Sequence, residues 1–180
     1  MNQFISTYIY HSPYGDMLMG SFQEELVLAD WFYRKKRDLI DKRIKDRLHA
    51  EYREEASPVI DKAIAQLREY FEGERQEFDL PLGLVGSPFQ VKVWNYLITI
   101  PFGTVVSYKK QSQDMDFVTG LRAIASANGA NALSIIVPCH RVVGSDGALT
   151  GYAGGLRVKE KLLHREGVRE ESKQLNLFNS

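Results

Sequence analysis

The chain is poor in cysteine: Cys139 is the only one in 180 residues. That excludes an intramolecular disulfide and every zinc cage built from several thiolates, so no metal site is expected. No window reaches eighteen consecutive apolar residues, which excludes a single-helix membrane span. The opening stretch, Met1 to Asp16, lacks a basic segment leading into a long apolar run, so a cytoplasmic location is expected, on the nucleoid if the source is bacterial. Excess charge is also missing, because 23 Lys plus Arg face 23 Asp plus Glu. A strongly basic nucleic-acid coat protein is thereby excluded, although a local basic face is not. Internal repeats and low-complexity tracts are absent.

What is present suits a folded protein. Hydrophobic residues make up 44% of the chain, with two Trp, nine Tyr and nine Phe, enough to fill an ordinary core. Residues 86–167 carry nine basic against five acidic side chains, net +4, whereas residues 1–85 carry twelve against sixteen. The two stretches differ in sign and texture, so two domains are expected, 1–85 and 86–167, followed by a flexible tail over 168–180.

In the first unit, Phe4–His11 and Met17–Phe22 flank the turn residues Ser12-Pro13-Tyr14-Gly15-Asp16, which predicts a β-hairpin. Leu26–Tyr33 then extends it to a three-stranded meander. The charged segment Arg34–Glu55, with Ile40, Ile44 and Leu48 at four-residue spacing, reads as a solvated surface helix or loop. Ser57-Pro58 signals a helix start, Ile60, Ile64, Leu67 and Phe71 share one face, and Gly73 ends it. Phe78–Leu84 reads as a linker. In the second unit, helices are expected over Phe89–Ile100, from Ser107, and from Phe117 to about Ala127 with Leu121 and Ile124 inward. The body of the middle helix, Lys109–Asp114, is so polar that a surface position or poor helix formation is expected. Helix, tight turn and helix suggest a helix-turn-helix.

Leu133–Val137 reads as a β-type run that delivers Cys139 at a strand end, with Gly144–Gly147 as a hairpin turn. A free thiol is only a few per cent ionised near neutrality, so a nucleophilic Cys139 needs a base or a positive neighbour. His140 and Arg141 are the candidates. Neighbours on a strand point to opposite faces, so Cys139 and His140 need a turn or a bridging water to cooperate. A single cysteine is as often a small buried hydrophobe, and these residues alone leave both readings open.

The surrounding pattern favours chemistry. Pro138-Cys139-His140-Arg141-Val142 resembles the active-site motif of the O6-alkylguanine-DNA alkyltransferases. The likeness continues through Phe89-Gln90, Val93-Trp94, Ile100-Pro101-Phe102-Gly103, Val106-Ser107-Tyr108, Arg122-Ala123, Asn131, Tyr152, Gly154-Gly155-Leu156 and Glu166-Gly167. It is strong over residues 87–167; upstream it rests mainly on the turn Ser12–Gly15. The resemblance implies an α/β ribonuclease-H-like N-terminal domain and a mainly helical C-terminal domain with a winged helix-turn-helix-like part. It also implies transfer of an alkyl group from the O6 atom of guanine in duplex DNA to Cys139, with no cofactor and one turnover per molecule. A thioether has a poor leaving group, and the motif offers no second nucleophile to release the alkyl group.

The same resemblance assigns roles. His140 accepts the thiol proton through a water and Glu166 orients that imidazole. Asn131 braces the turn that presents Cys139, and Tyr108 donates its phenolic proton to the departing guanine. Val142, Tyr152 and Ala153 line the base pocket. Arg122 enters the base stack in place of the rotated nucleotide, while Ala123, Ser126 and Ala127 let its helix approach the minor groove. Binding to DNA by a monomer, weakly dependent on sequence and weakened by salt, is expected.

Some residues depart from the family pattern. Ala132 and Ser134 stand where prolines are common, which suggests a looser pocket wall; Ala153 lacks a hydroxyl that some relatives carry; Gln111–Asp114 and Asp116 replace an apolar helix and glycine turn. A non-catalytic lesion binder would lack Cys139, a helix-turn-helix regulator would need a dimer interface that is not legible, and nothing suggests the acyl pocket of a cysteine hydrolase. Near the end, Gln174-Leu175-Asn176-Leu177-Phe178 looks like the peptide by which bacterial repair proteins dock on the sliding clamp. An apolar tail packed on its own domain is an equally good reading.

Overall fold

A computed structural model describes residues 3–117 and 120–168. The hairpin forms where turn chemistry predicts it: β1 (Gln3–Ser12) and β2 (Gly15–Phe22) pair antiparallel, with Ser12 opposite Gly15. The Ser12 hydroxyl donates to the Gly15 carbonyl at 2.6 Å and accepts from the Tyr14 amide at 3.2 Å, closing the turn locally. β3 (Glu25–Trp31) adds antiparallel to β2 and completes the meander.

The charged segment that follows is more structured than its composition suggests. α1 (Arg37–Leu48) buries Ile40 and Ile44, and β4 (Ala50–Glu54) then enters the sheet parallel to β1. The resulting order is β3-β2-β1-β4. On one face, Ile40 and Ile44 pack with Ile5, Leu28 and Ala50. On the other, α2 (Pro58–Glu72) sets Ile60, Ala63, Leu67 and Phe71 against Met17, Met19 and Trp31. Ser57 caps α2 by accepting from the Ile60 amide, and Gly73 closes it in the left-handed region at φ 86°.

β3 lies at the sheet edge, yet its open side is covered. The Leu26 amide donates to the Pro81 carbonyl at 2.7 Å and Gly83 donates back to Leu26 at 2.9 Å. Residues 78–84 are therefore not a loose linker but a strap that satisfies an exposed edge. Further along the same edge, the Ala29 amide donates to the Ala132 carbonyl at 2.9 Å. The segment leading to Cys139 is thus hydrogen-bonded to the sheet.

The second half is mainly helical. α3 (Pro88–Ile98) starts with a reciprocal capping box between Ser87 and Gln90. β5 (Val106–Ser107) leads into α4 (Tyr108–Asp114), which Ser107 caps. α4 is a formed helix despite its polarity, because buried Gln111 exchanges two side-chain amide bonds with Asn128, at 3.1 and 2.8 Å. Asn128 belongs to α5 (Leu121–Gly129), which starts four residues later than expected. Ile124 is buried as predicted, whereas Leu121 is exposed and faces the groove described below.

Two further expectations are corrected. Leu133–Val137 is not a strand: the Leu133 amide is taken by the Asn131 side chain and the Val137 amide by the Leu133 carbonyl, so the run coils into a turn, with Ile135 at φ 73°. Gly144–Gly147 forms the expected turn, closed by Gly147 N–H to the Gly144 carbonyl at 2.9 Å and Gly144 N–H to the Ala148 carbonyl at 2.8 Å, but no second strand follows it among the described residues: β6 (Val142–Val143) has its ladder with β5, in parallel. α6 (Leu156–Arg165) ends the described chain. The tail peptide with Gln174, Leu175, Leu177 and Phe178 lies outside the described residues. Among those described, no helix is long and apolar enough to cross a membrane, and no cluster of His, Cys, Asp and Glu could hold a metal ion.

Candidate active site

Cys139 opens a single 3-10 turn, Cys139–Arg141, after Pro138. Its amide bonds back to the Val137 carbonyl at 2.9 Å, and the Arg141 amide bonds to Pro138 at 3.0 Å. Asn131 fixes this turn with three contacts. Its Nδ2 donates to the Val137 carbonyl at 2.8 Å and to Cys139 Sγ at 3.3 Å, while its Oδ1 accepts from the Leu133 amide at 2.9 Å. A side-chain amide satisfies both the backbone of the turn and the sulfur it presents.

The turn sends Cys139 and His140 in different directions. Cys139 reaches a groove of about 1120 Å³, which is also lined by Tyr108, Arg122, Tyr152 and Ala153. His140 is fully buried behind it, where its Nε2 lies 2.6 Å from Glu166 Oε1. The buried Glu166 carboxylate also accepts from the Tyr70 hydroxyl at 2.8 Å and from Arg141 at 2.8 and 3.1 Å. Arg141 in turn donates to the Ile100 carbonyl at 2.6 Å.

Burial alone would raise the Glu166 pKa, but hydrogen bonds and charge from His140 and Arg141 outweigh it and hold the acid at about 2. Glu166 is therefore an anion at neutral pH. For His140 burial dominates and pushes the pKa down, against the pull of Glu166. A neutral imidazole beside an anion must donate through Nε2, which leaves Nδ1 as its basic atom. That Nδ1 is buried and has no hydrogen-bond partner. For Cys139, burial raises the thiol pKa, while the Asn131 bond and the Lys159 charge pull it down.

Tyr108, at the start of α4, donates to the Thr150 carbonyl at 3.3 Å, and burial followed by the Cys139 charge raises its pKa. Tyr152 accepts from Trp31 Nε1 at 3.1 Å, an anchor supplied by the sheet. Its pKa is also raised, first by burial and then by Cys139. Both phenols remain protonated. Gly154 lies against the Trp31 indole, where a Cβ would meet its Nε1 at 2.7 Å, so the backbone approach at this wall requires glycine.

Arg122 stands exposed on α5 and lines the groove; Ala123 beside it is exposed. Two residues, one expected on the helix that approaches DNA and one in the base pocket, are placed elsewhere. Ala127 is buried, and its carbonyl accepts from Trp94 Nε1 at 2.8 Å, so its small side chain serves the α3–α5 contact. Val142 is fully buried beneath the groove and does not line it.

Sequence reading missed several members of this site. Lys159 is fully buried on α6, and its Nζ donates to the carbonyls of Val142 at 2.6 Å, Thr150 at 3.0 Å and Gly151 at 3.3 Å. It ties the wall of the groove to β6. The signal was present, since Lys159 interrupts an apolar stripe made by Val158, Leu162 and Leu163. Asp30 and Arg34 were also missed. Ser134 Oγ donates to fully buried Asp30 at 2.9 Å, and Arg34 donates to Asp30 at 2.7 Å and to the Asn131 carbonyl at 3.0 Å. The wall at Ser134 is thus tied to the sheet rather than loose.

Both halves of the chain resemble known proteins. Residues 6–84 match the ribonuclease-like domain of 6-O-methylguanine DNA methyltransferase, and residues 88–168 match its DNA binding domain. A protein from Methanosarcina acetivorans named methylated-DNA–protein-cysteine methyltransferase is 39% identical over 160 residues, 88% of this chain and 96% of that one. The Mycobacterium tuberculosis H37Rv protein of the same name is 46% identical over 117 residues, 65% of this chain and 70% of its own. The crystal structure of Mycobacterium tuberculosis OGT in complex with DNA superposes with a TM-score of 0.77 at 35% identity, covering 97% of this chain and 99% of that one. On this relationship, two-domain architecture included, the chain belongs to the 6-O-methylguanine DNA methyltransferase family.

Proposed function

We propose that this protein repairs DNA by direct reversal, moving the alkyl group of O6-alkylguanine, a methyl group in the simplest case, onto Cys139. The observation that carries the proposal is the placement of one thiol in the groove with a buried, anion-paired imidazole on the next residue. In the reaction the Cys139 proton passes through a water to His140 Nδ1, while Nε2 stays bonded to Glu166. The thiolate attacks the alkyl carbon, a C–S bond forms, and the C–O bond breaks with its electron pair leaving on the guanine. Tyr108 supplies a proton to that departing base, for which it gives up its bond to Thr150. The thioether product has no route back to a thiol, so each molecule acts once.

A guanine inside a duplex keeps its O6 substituent away from a recessed sulfur, so the nucleotide rotates out at a cost of a few kcal/mol. Arg122 fills the space it leaves, from the minor-groove side, and Tyr152 and Ala153 border the extruded base. The protein acts as a monomer, and the Gln174–Phe178 peptide docks it on a sliding clamp. The activity is tested with duplex DNA carrying a labelled O6-methylguanine: transfer should stop at one methyl group per protein however large the excess of DNA. Continued turnover, or binding with no transfer, contradicts the proposal.

A further inference from the structure

The groove that holds Cys139 is built from both halves of the chain. The sheet half contributes the connection between β3 and α1, residues Tyr33 to Lys36. No described residue lining the groove is acidic, whereas Arg34, Lys35, Lys36, Lys109 and Arg122 are basic. This occurs in a chain whose charges cancel and whose first 85 residues have an acidic excess. The concentration of one sign along a single groove attracts a polyanion.

The five cations are not equivalent. Arg34 is buried and committed: it pairs with Asp30 at 2.7 Å and donates to the carbonyls of Asn131 at 3.0 Å and Gly129 at 2.5 Å. Lys35 and Lys36 are exposed, and their side chains form no hydrogen bond or ion pair among the described residues. Of the neighbouring carboxylates, Asp30 is buried and paired with Arg34 and Arg37, and Asp38 does not line the groove.

The connection that carries these lysines is also held in place. Gly129 ends α5, the helix that bears Arg122, so the Arg34 guanidinium joins the connection to that helix. The Tyr33 hydroxyl adds a bond to the Gly154 carbonyl at 3.3 Å, on the wall that carries Tyr152. The backbone that carries both lysines is therefore anchored to α5 and to the groove wall, and an anion meets it without first ordering a loop.

We propose that Lys35 and Lys36 contact phosphates of the DNA whose alkylated base is delivered to Cys139, so that the sheet half forms one bank of the DNA site. This inference rests on the repair activity proposed above. It assigns to the β3–α1 connection a phosphodiester-binding role that is independent of base sequence.

The test compares the salt dependence of DNA binding for wild type, a Lys35→Gln/Lys36→Gln double variant and a Lys35→Arg/Lys36→Arg double variant, using one O6-methylguanine duplex. Each lost phosphate contact reduces the slope of log K against log salt by about 0.9, so the glutamine variant should lose about 1.8 and the arginine variant nothing. Lys62→Gln, on α2 and paired with Asp79, serves as a control for removal of a remote cation. A glutamine variant with the wild-type slope, or one whose slope changes no more than that of Lys62→Gln, overturns the proposal. Thermal melting confirms that each variant is folded. Methyl transfer by the wild type is measured in parallel: its absence would defeat the repair reading, whereas transfer with an unchanged slope would defeat only this one.

Discussion

Glu166 and His140 meet in the interior with 2.6 Å between carboxylate Oε1 and imidazole Nε2, and both side chains are shut off from solvent. The contact fixes the tautomer, and with it the atom that can take a proton. Two further groups, Tyr70 and Arg141, share the same carboxylate. Removing its charge should therefore have two consequences. Glu166→Gln is expected to slow methyl transfer by about 100-fold, the low end of what a positioned base contributes. It should also cost about 3 kcal/mol of stability, because Arg141 is left as a buried charge without its partner. Single-turnover kinetics and urea unfolding at pH 7.5 check the two effects separately.

The same pair sets the response to acid. The folded-state pKa of His140 lies below its ordinary value of 6.5, so the unfolded chain binds a proton that the folded protein refuses. Stability from this source is complete above that value and declines as pH falls below it. Glu166 moves in the same direction at lower pH: its pKa drops from 4.5 to about 2 on folding, so its contribution fades from about pH 4.5 down to about pH 2. Urea midpoints measured from pH 8 to pH 3 should fall in two stages, and Glu166→Gln should weaken the second, leaving the smaller share of other carboxylates lowered in the fold, such as Glu55 and Asp114.

Ser134, expected to loosen the pocket wall, donates to a fully buried carboxylate. Ser134→Ala removes one bond from Asp30 and should destabilise the protein by about 1–3 kcal/mol. Because Asp30 also holds Arg34, which bonds to the Asn131 carbonyl, methyl transfer should slow as well. Denaturation and transfer rates on the same preparation check this; unchanged values in both would show that the bond contributes nothing.

Local chemistry made much of this fold legible. The Ser12–Gly15 turn, the Ser57-Pro58 helix start and the Gly73 stop each rest on neighbouring residues, and all three appear as expected. β4 escaped notice because its partner is β1, far away in sequence, and because its exposed charged residues show no apolar alternation. Leu133–Val137 has the composition of a strand, but Asn131 captures its first amide and prevents a ladder. Cys139, His140 and Glu166 were found through the motif. The groups around them were not: Lys159 shows only as a break in an apolar stripe, and nothing in the sequence signals that Asp30, Arg34 and Tyr70 will be buried and shared.

Arg122 is exposed, and its side chain makes no hydrogen bond or ion pair among the described residues, so its removal should leave stability unchanged. Its proposed work is confined to duplex DNA, where a nucleotide has to leave the stack. Arg122→Ala should lower transfer from duplex O6-methylguanine by about 10–100-fold, in line with a barrier of a few kcal/mol. Transfer from a single strand needs no extrusion and should fall much less. Equal losses on both substrates would assign Arg122 to general DNA binding instead.

The most direct measurement is the mass of the intact protein, followed by mapping of its peptides, after reaction with an O6-methylguanine duplex. A gain of one methyl group in place of one hydrogen, located on Cys139 and absent from Cys139→Ser, is the expected result. A protein that binds the duplex and emerges unmodified, or carries the methyl group on another residue, would contradict the assignment of Cys139 as the acceptor.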